Sequence, residues 1–267
     1  MNKNIYTSAM VLGLALTGNT AFAHGGVTGP CEGLPTRAAL ETALKAAQSE
    51  PNGGFGLHMW ATVVNRAGQV CAVARSGANS GEQWPGSRVI SAQKANTANA
   101  FSLPGLALST ANLYSATQPG GGLYGLQESN PVDVNIAYAG DFAKYGTDKD
   151  ALMGKKIGGI NVFGGGLALY DANGKILGGV GVSGDSSCAD HNIAWRTRHA
   201  LGLDHVPAGE GTKGDDNIVY DITYGDTSTV GEVPALGKSA GGWGHPSCSP
   251  AAKTIAEGFQ KAGSGAL

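Results

Sequence analysis

Residues 164–190 read GGGLALYDANGKILGGVGVSGDSSCAD, and this stretch decides the fold class. At its centre, Asp171-Ala172-Asn173-Gly174 has turn chemistry: Asp and Asn bond their own backbone, and Gly supplies a positive φ. Apolar runs flank the turn at 167–170 and 175–183. Two strands joined by so short a turn pair antiparallel. Gly164-Gly165-Gly166 separates this hairpin from a shorter β-like run at 160–162. After the second strand, Gly184 and Asp185 lead into a helix expected over 187–203 and closed by Gly202.

Upstream, the arrangement repeats. Leu40, Ala43, Leu44 and Ala47 recur at helical spacing over 35–49, with Pro35 suited to the first turn. A strand over 57–65 turns at Ala67-Gly68 and pairs back over 69–74. A second helix is expected at 87–102, capped by Ser87 and stopped by Pro104-Gly105, and a short third at 106–116. Residues 118–156 are polar and turn-rich and read as a long insertion. From residue 204 the chain is rich in Gly, Pro and Asp, with a β-like stretch at 218–224. The order helix, hairpin, helices, hairpin, helix predicts an α+β fold, an antiparallel sheet covered by helices.

The first residues have a different character. Lys3 precedes an apolar run at 9–16, and Ala21-Phe22-Ala23 is an A-x-A cleavage signal. Residues 1–23 therefore read as a secretory signal peptide, with a single folded domain over 24–267. The run is about half the roughly 20 residues a spanning helix needs. Export places the protein in the periplasm or outside the cell. The four cysteines, Cys31, Cys71, Cys188 and Cys248, then become a disulfide question. Three pairings are open. The favoured one joins Cys188 to Cys248, tying the tail to the core, which leaves Cys31 with Cys71. Charged residues make up 14% and the net charge is −2, which excludes a generally basic, nucleic-acid-seeking surface.

Two blocks together resemble a known family. One is Gln93-Lys94-Ala95-Asn96-Thr97-Ala98, a K-A-x-T-A helix after an early hairpin; the other is the stretch at 164–190. The chain resembles the GlcG/HbpS-like family, also called the haem-degrading domain family, over about 34–203 without the insertion. The resemblance implies a profilin-like, PAS-like central antiparallel sheet flanked by helices, and homo-oligomers. It also implies binding of haem or another tetrapyrrole, in some members beside a sensor or enzyme partner. One departure stands out: Leu167-Ala168-Leu169 follows the glycines where the family usually has a proline.

Several side chains carry potential chemistry. On the last helix His191, Trp195, Arg198 and His199 fall near one face, opposite an apolar stripe of Ile193, Ala194, Thr197, Ala200 and Leu201. Imidazole can ligate haem iron, an aromatic can pack on a porphyrin, and Arg can pair with a propionate. Lys94 and Thr97 share a face with Ile90 and Phe101, and the family motif draws attention to them. Without a ligand, Thr97 would be a small core residue and Lys94 would snorkel to solvent. His58 lies two residues from Trp60 on the same side of a strand. His191 and His58 are the candidate iron ligands. Gly181-Val182-Ser183-Gly184-Asp185 departs from a G-x-S-x-G nucleophile elbow at its last position and reads as a strand-to-helix turn. His24, as a free N-terminus, could chelate copper, but the helix-rich pattern does not match the β-sandwich that chemistry uses.

The functional expectation is a periplasmic haem-binding protein in haem storage, transfer or sensing, with no catalytic residue assigned. Two alternatives stand beside it. One is an enzyme acting on a small organic metabolite through Lys94, Asp190 and His191. The other is a non-catalytic partner of a periplasmic enzyme or sensor.

Overall fold

Leu40, Ala43, Leu44 and Ala47 form the buried stripe of the first helix, α1 (Arg37–Ser49), whose N-terminus is capped by the Thr36 hydroxyl accepting from the Ala39 amide. A computed structural model of the chain describes residues 29–224 and 237–267. The signal-peptide reading over 1–23 and the chain-end reading of His24 lie outside the described residues.

Both expected hairpins form. Strands β1 (Trp60–Asn65) and β2 (Val70–Arg75) are joined by a turn in which Asn65 Oδ1 accepts from the amides of Ala67 and Gln69. Strands β3 (Gly166–Tyr170) and β4 (Ile176–Ser183) are joined by a turn in which Asp171 Oδ1 accepts from Asn173 and Lys175. The sheet order is β2-β1-β4-β3, and each neighbouring pair is antiparallel. The first strand begins at Trp60, not at Leu57.

Helices cover both faces of the sheet. Helix α2 (Ser87–Ala100) lies on the face of Trp60, Val64, Val70 and Val73, packing Val89, Ala92 and Ala95 against it. Its approach is close: a Cβ on Gly181 would sit 2.0 Å from the Ser91 carbonyl oxygen, so β4 needs glycine there. Ala61, Val63, Val180 and Val182 point to the other face, beneath α1 and helix α5 (Ser187–Ala200). The observed fold is α+β, as the element order predicts.

The rest departs from the sequence reading in detail. The expected helix at 106–116 is mostly turn, with only α3 (Tyr114–Thr117) helical. The run at 160–162 makes no strand; Gly158 and Gly159 both have positive φ, and Ile160 and Val162 pack against Leu108 and Leu113. The insertion carries α4 (Val134–Ala137) and a 3-10 turn (Phe142–Lys144). It is pinned by a buried ion pair in which Arg88 Nε donates to Asp150 at 3.0 Å. In the tail, β5 (Ile222–Thr223) pairs with β6 (Lys238–Ser239), and α6 (Pro250–Gly258) is the last helix among the described residues. Disulfides join Cys31 to Cys71 and Cys188 to Cys248, the favoured pairing.

Candidate functional site

The two sequence blocks meet in a buried ion pair. Lys94, from the middle of α2, reaches between the sheet and α5. Its Nζ donates to Asp190 Oδ2 at 2.7 Å and to the Val182 carbonyl at 3.1 Å. Asp190, in the first turn of α5, accepts from the Asp185 and Gly184 amides through Oδ1, at 2.8 and 3.2 Å. Lys94 does not snorkel: both side chains are almost wholly buried, at 2% and 3% exposure. Gly165 passes directly over the pair. With φ at +117° and a hypothetical Cβ 2.4 Å from the Val182 oxygen and 3.1 Å from Lys94 Nζ, only glycine fits. Burial nevertheless pushes the Asp190 carboxyl up to about 6, with Lys94 pulling the other way.

Thr97 is fully buried and fully engaged. Its hydroxyl donates to the Gln93 carbonyl and accepts from the Asn161 amide at 3.0 Å, stitching α2 to the segment before β3. It packs as a small core residue.

The expected open face of α5 is covered by the C-terminal tail. Arg198 is wholly buried and grips Asp216 through both terminal nitrogens, at 2.7 and 2.8 Å. Trp195 stacks on Phe259, with ring centroids 5.9 Å apart and planes 9° apart. His191 Nε2 lies 3.1 Å from the Ile218 amide, which donates to it, and 3.2 Å from Asn217 Oδ1; Nδ1 has no partner. His199 alone keeps some exposure, with Nδ1 2.8 Å from Asp204 Oδ2. The division into a polar outer face and an apolar inner stripe is thus corrected, because α5 is buried on both sides by sheet and tail.

His58 has a different setting. It precedes β1 and is half-buried, with Nδ1 3.1 Å from the Ser76 hydroxyl; that hydroxyl accepts from the Met59 amide. Its Nε2 has no hydrogen-bond partner among the described residues. The loop before it is braced by Asp185, which accepts from the Phe55 and Leu57 amides at 2.9 and 3.2 Å. That loop displays Phe55 at 76% exposure. Ser76 and Phe55 escape the sequence reading, which takes Asp185 only as part of the strand-to-helix turn. The N-G-G-F-G-L-H run at 52–58 was the signal for Phe55, an aromatic set between glycines with no apolar periodicity around it.

His245 lies in the loop-rich tail, where a surface position is the expectation from sequence, yet it is buried. Its Nδ1 donates to the Pro246 carbonyl at 2.7 Å, leaving Nε2 to face the Ser187 hydroxyl at 3.4 Å, while Tyr114 packs on its ring. Burial lowers His245 to about 4 and His191 to about 3. An imidazole kept neutral in the fold contributes stability above pH 6.5 that is lost as pH falls toward the folded value. The raised Asp190 works in the opposite sense below about pH 6. The His245→Gln variant isolates one group. Between pH 6 and 4.5 its stability should fall less steeply than that of the wild type, by about 1 kcal/mol per pH unit. Urea denaturation across that range checks this, and equal slopes would contradict it.

Fold and site together define an α+β sheet protein whose two sequence blocks are joined by a buried lysine–aspartate pair. The chain belongs to the HbpS-like family: the family model described as haem degrading protein HbpS-like matches residues 36–198, more than half of the chain. The tail that covers α5 begins beyond that match. No curated protein matches. Among solved structures, the chain is similar to a PduOC:heme complex, with 23% identity and a TM-score of 0.43, covering 62% of this chain and 93% of that one. It is similar to Klebsiella pneumoniae protein ORFY at 26% identity and a TM-score of 0.42, covering 62% and 89%. It is also similar to a double mutant of Streptomyces reticuli HbpS at 20% identity and a TM-score of 0.37, covering 74% and 99%.

Proposed function

We propose that this protein is exported, binds haem or another tetrapyrrole in the periplasm, and acts in its storage, transfer or sensing, with His58 as the iron ligand. Membership of the HbpS-like family supports the ligand class. The two disulfides support an oxidising compartment, and the reading of residues 1–23 supports export. No helix among the described residues is long and apolar enough to cross a membrane.

The observation that carries the site is the pair of contrasting imidazoles. A haem ligand needs a free ring nitrogen with room beside it. At His191 the ring is wholly buried and Nε2 is taken by the tail, so ligation there would require the tail to leave. At His58 the ring is held through Nδ1 by Ser76, and Nε2 is free. An orienting hydrogen bond on the second nitrogen is the usual support for a ligating imidazole. Bound haem would supply the iron; this chain supplies the fixed imidazole, the exposed Phe55 ring beside it in sequence, and the braced loop.

The experiment is haem titration of the purified protein. A shifted Soret band saturating at micromolar haem is the expected result. His58→Ala should weaken binding by about tenfold or more, the loss of roughly 1.4 kcal/mol. The absence of any Soret shift in the wild type would overturn the reading.

A further inference from the structure

A cleft of about 540 Å³ opens between the end of α1 and helix α6, away from His58 and from the Lys94–Asp190 pair. This lies within the roughly 300–1,000 Å³ of small-molecule sites. Ala46, Ala47, Ile255, Phe259 and Leu267 give it apolar walls, and Arg196 of α5 lines it among them.

Arg196 is the unusual member. It is half-buried, and its guanidinium lies over the Phe259 ring, 5.1 Å from the centroid. Its Nη1 donates to the Pro51 carbonyl and to Asn52 Oδ1, which fixes the plane of the group. Among the described residues Nε and Nη2 have no acceptor, and no carboxylate lies within ion-pair distance. The wholly buried arginines behave otherwise: Arg88 and Arg198 each grip an aspartate with two nitrogens. Burial lowers the Arg196 guanidinium from its ordinary value, and Glu50, whose charge pulls the other way, lines the cleft but is exposed. A guanidinium with a fixed plane, a free two-nitrogen edge and apolar surroundings is suited to a carboxylate carried on an apolar body.

We propose that this cleft is a binding site for a small monocarboxylate with an aliphatic or aromatic body, the carboxylate meeting Arg196 and the body lying against Ile255 and Phe259. The site is independent of haem and uses none of the residues assigned to it. The charge of Glu50, which lines the same cleft, opposes the ligand, so Glu50→Gln should tighten binding.

Calorimetric titration of the haem-free protein with decanoate, and separately with decanol, tests the proposal. Decanoate should bind at least about tenfold more tightly than decanol, since the alcohol lacks the charge-assisted pairing. Arg196→Gln should remove that preference. Because Arg196 also ties α5 to residues 51–52, a second variant is needed. Ala46→Phe changes an exposed helix position and fills the cleft, and should abolish binding of both probes with Arg196 intact. Equal binding of decanoate and decanol would overturn the proposal. So would the absence of binding at millimolar concentration, or wild-type binding in Ala46→Phe.

Discussion

Lys94→Met is expected to lower the unfolding free energy by about 3–5 kcal/mol at pH 8, the cost of leaving one partner of a buried ion pair behind. Asp190 would keep its bonds from the Gly184 and Asp185 amides but lose its only cation, at a site almost closed to water. The cost depends on pH in a defined direction. Removing Lys94 raises the Asp190 carboxyl above its already elevated value of about 6, so acidification neutralises it and relieves the penalty. The variant should therefore lie nearer to wild type at pH 5 than at pH 8. Adding Asp190→Asn should restore most of the loss at pH 8, because an amide oxygen still accepts from both backbone amides and carries no charge. Urea denaturation at the two pH values measures all of this. A cost below about 1 kcal/mol, or one equal at both pH values, would contradict the assignment.

Replacing Cys188 and Cys248 together by alanine should lower stability by about 4 kcal/mol, the chain-entropy value for a loop of this size. The disulfide joins residues 60 apart in sequence. It does not hold the tail alone. Arg198 with Asp216, Trp195 with Phe259, and the Asn192 side-chain amide donating to the Ala252 carbonyl also fix the tail on α5. The variant should thus unfold at lower urea yet keep the tail docked in the absence of denaturant, giving near-ultraviolet circular dichroism like that of the wild type. A variant as stable as wild type would show that the disulfide does not restrain the unfolded chain. Loss of the aromatic signal without denaturant would show that the other contacts cannot hold the tail.

The hairpins were legible because their information is local. Asp171 and Gly174 build the β3–β4 turn from within four residues, and alternation along β1 sends Trp60 to one helix layer and Ala61 to the other. The helices α1, α2 and α5 were legible by spacing, but not by their caps: Ser87 is the first residue of α2, behind Gly86, which caps without a side-chain bond, and Thr36 rather than Pro35 opens α1. What could not be read was contact between distant segments. Lys94 and Asp190 were each singled out, yet they lie 96 residues apart in sequence, and nothing local says that they meet. The α5 face was misjudged for the same reason. A projection assumes that a polar face looks to solvent, whereas residues 215–218 and 250–259 return across it. The adjacent Asp215-Asp216 in a chain of low charge was the available hint, because a buried Arg198 needs a carboxylate. The runs at 106–116 and 160–162 misled differently: their apolar residues are buried by packing, without a helix or a ladder, and composition does not separate these cases.

The central claim is that the imidazole serving haem is His58 and not the one the tail has sealed. Its most direct test is the Soret and electron paramagnetic resonance spectrum of haem-loaded His58→Ala and His191→Ala beside the wild type. The account predicts an altered iron signal and weakened binding in His58→Ala, with His191→Ala keeping the wild-type spectrum. An unchanged spectrum in His58→Ala, or its loss in a folded His191→Ala, would contradict it.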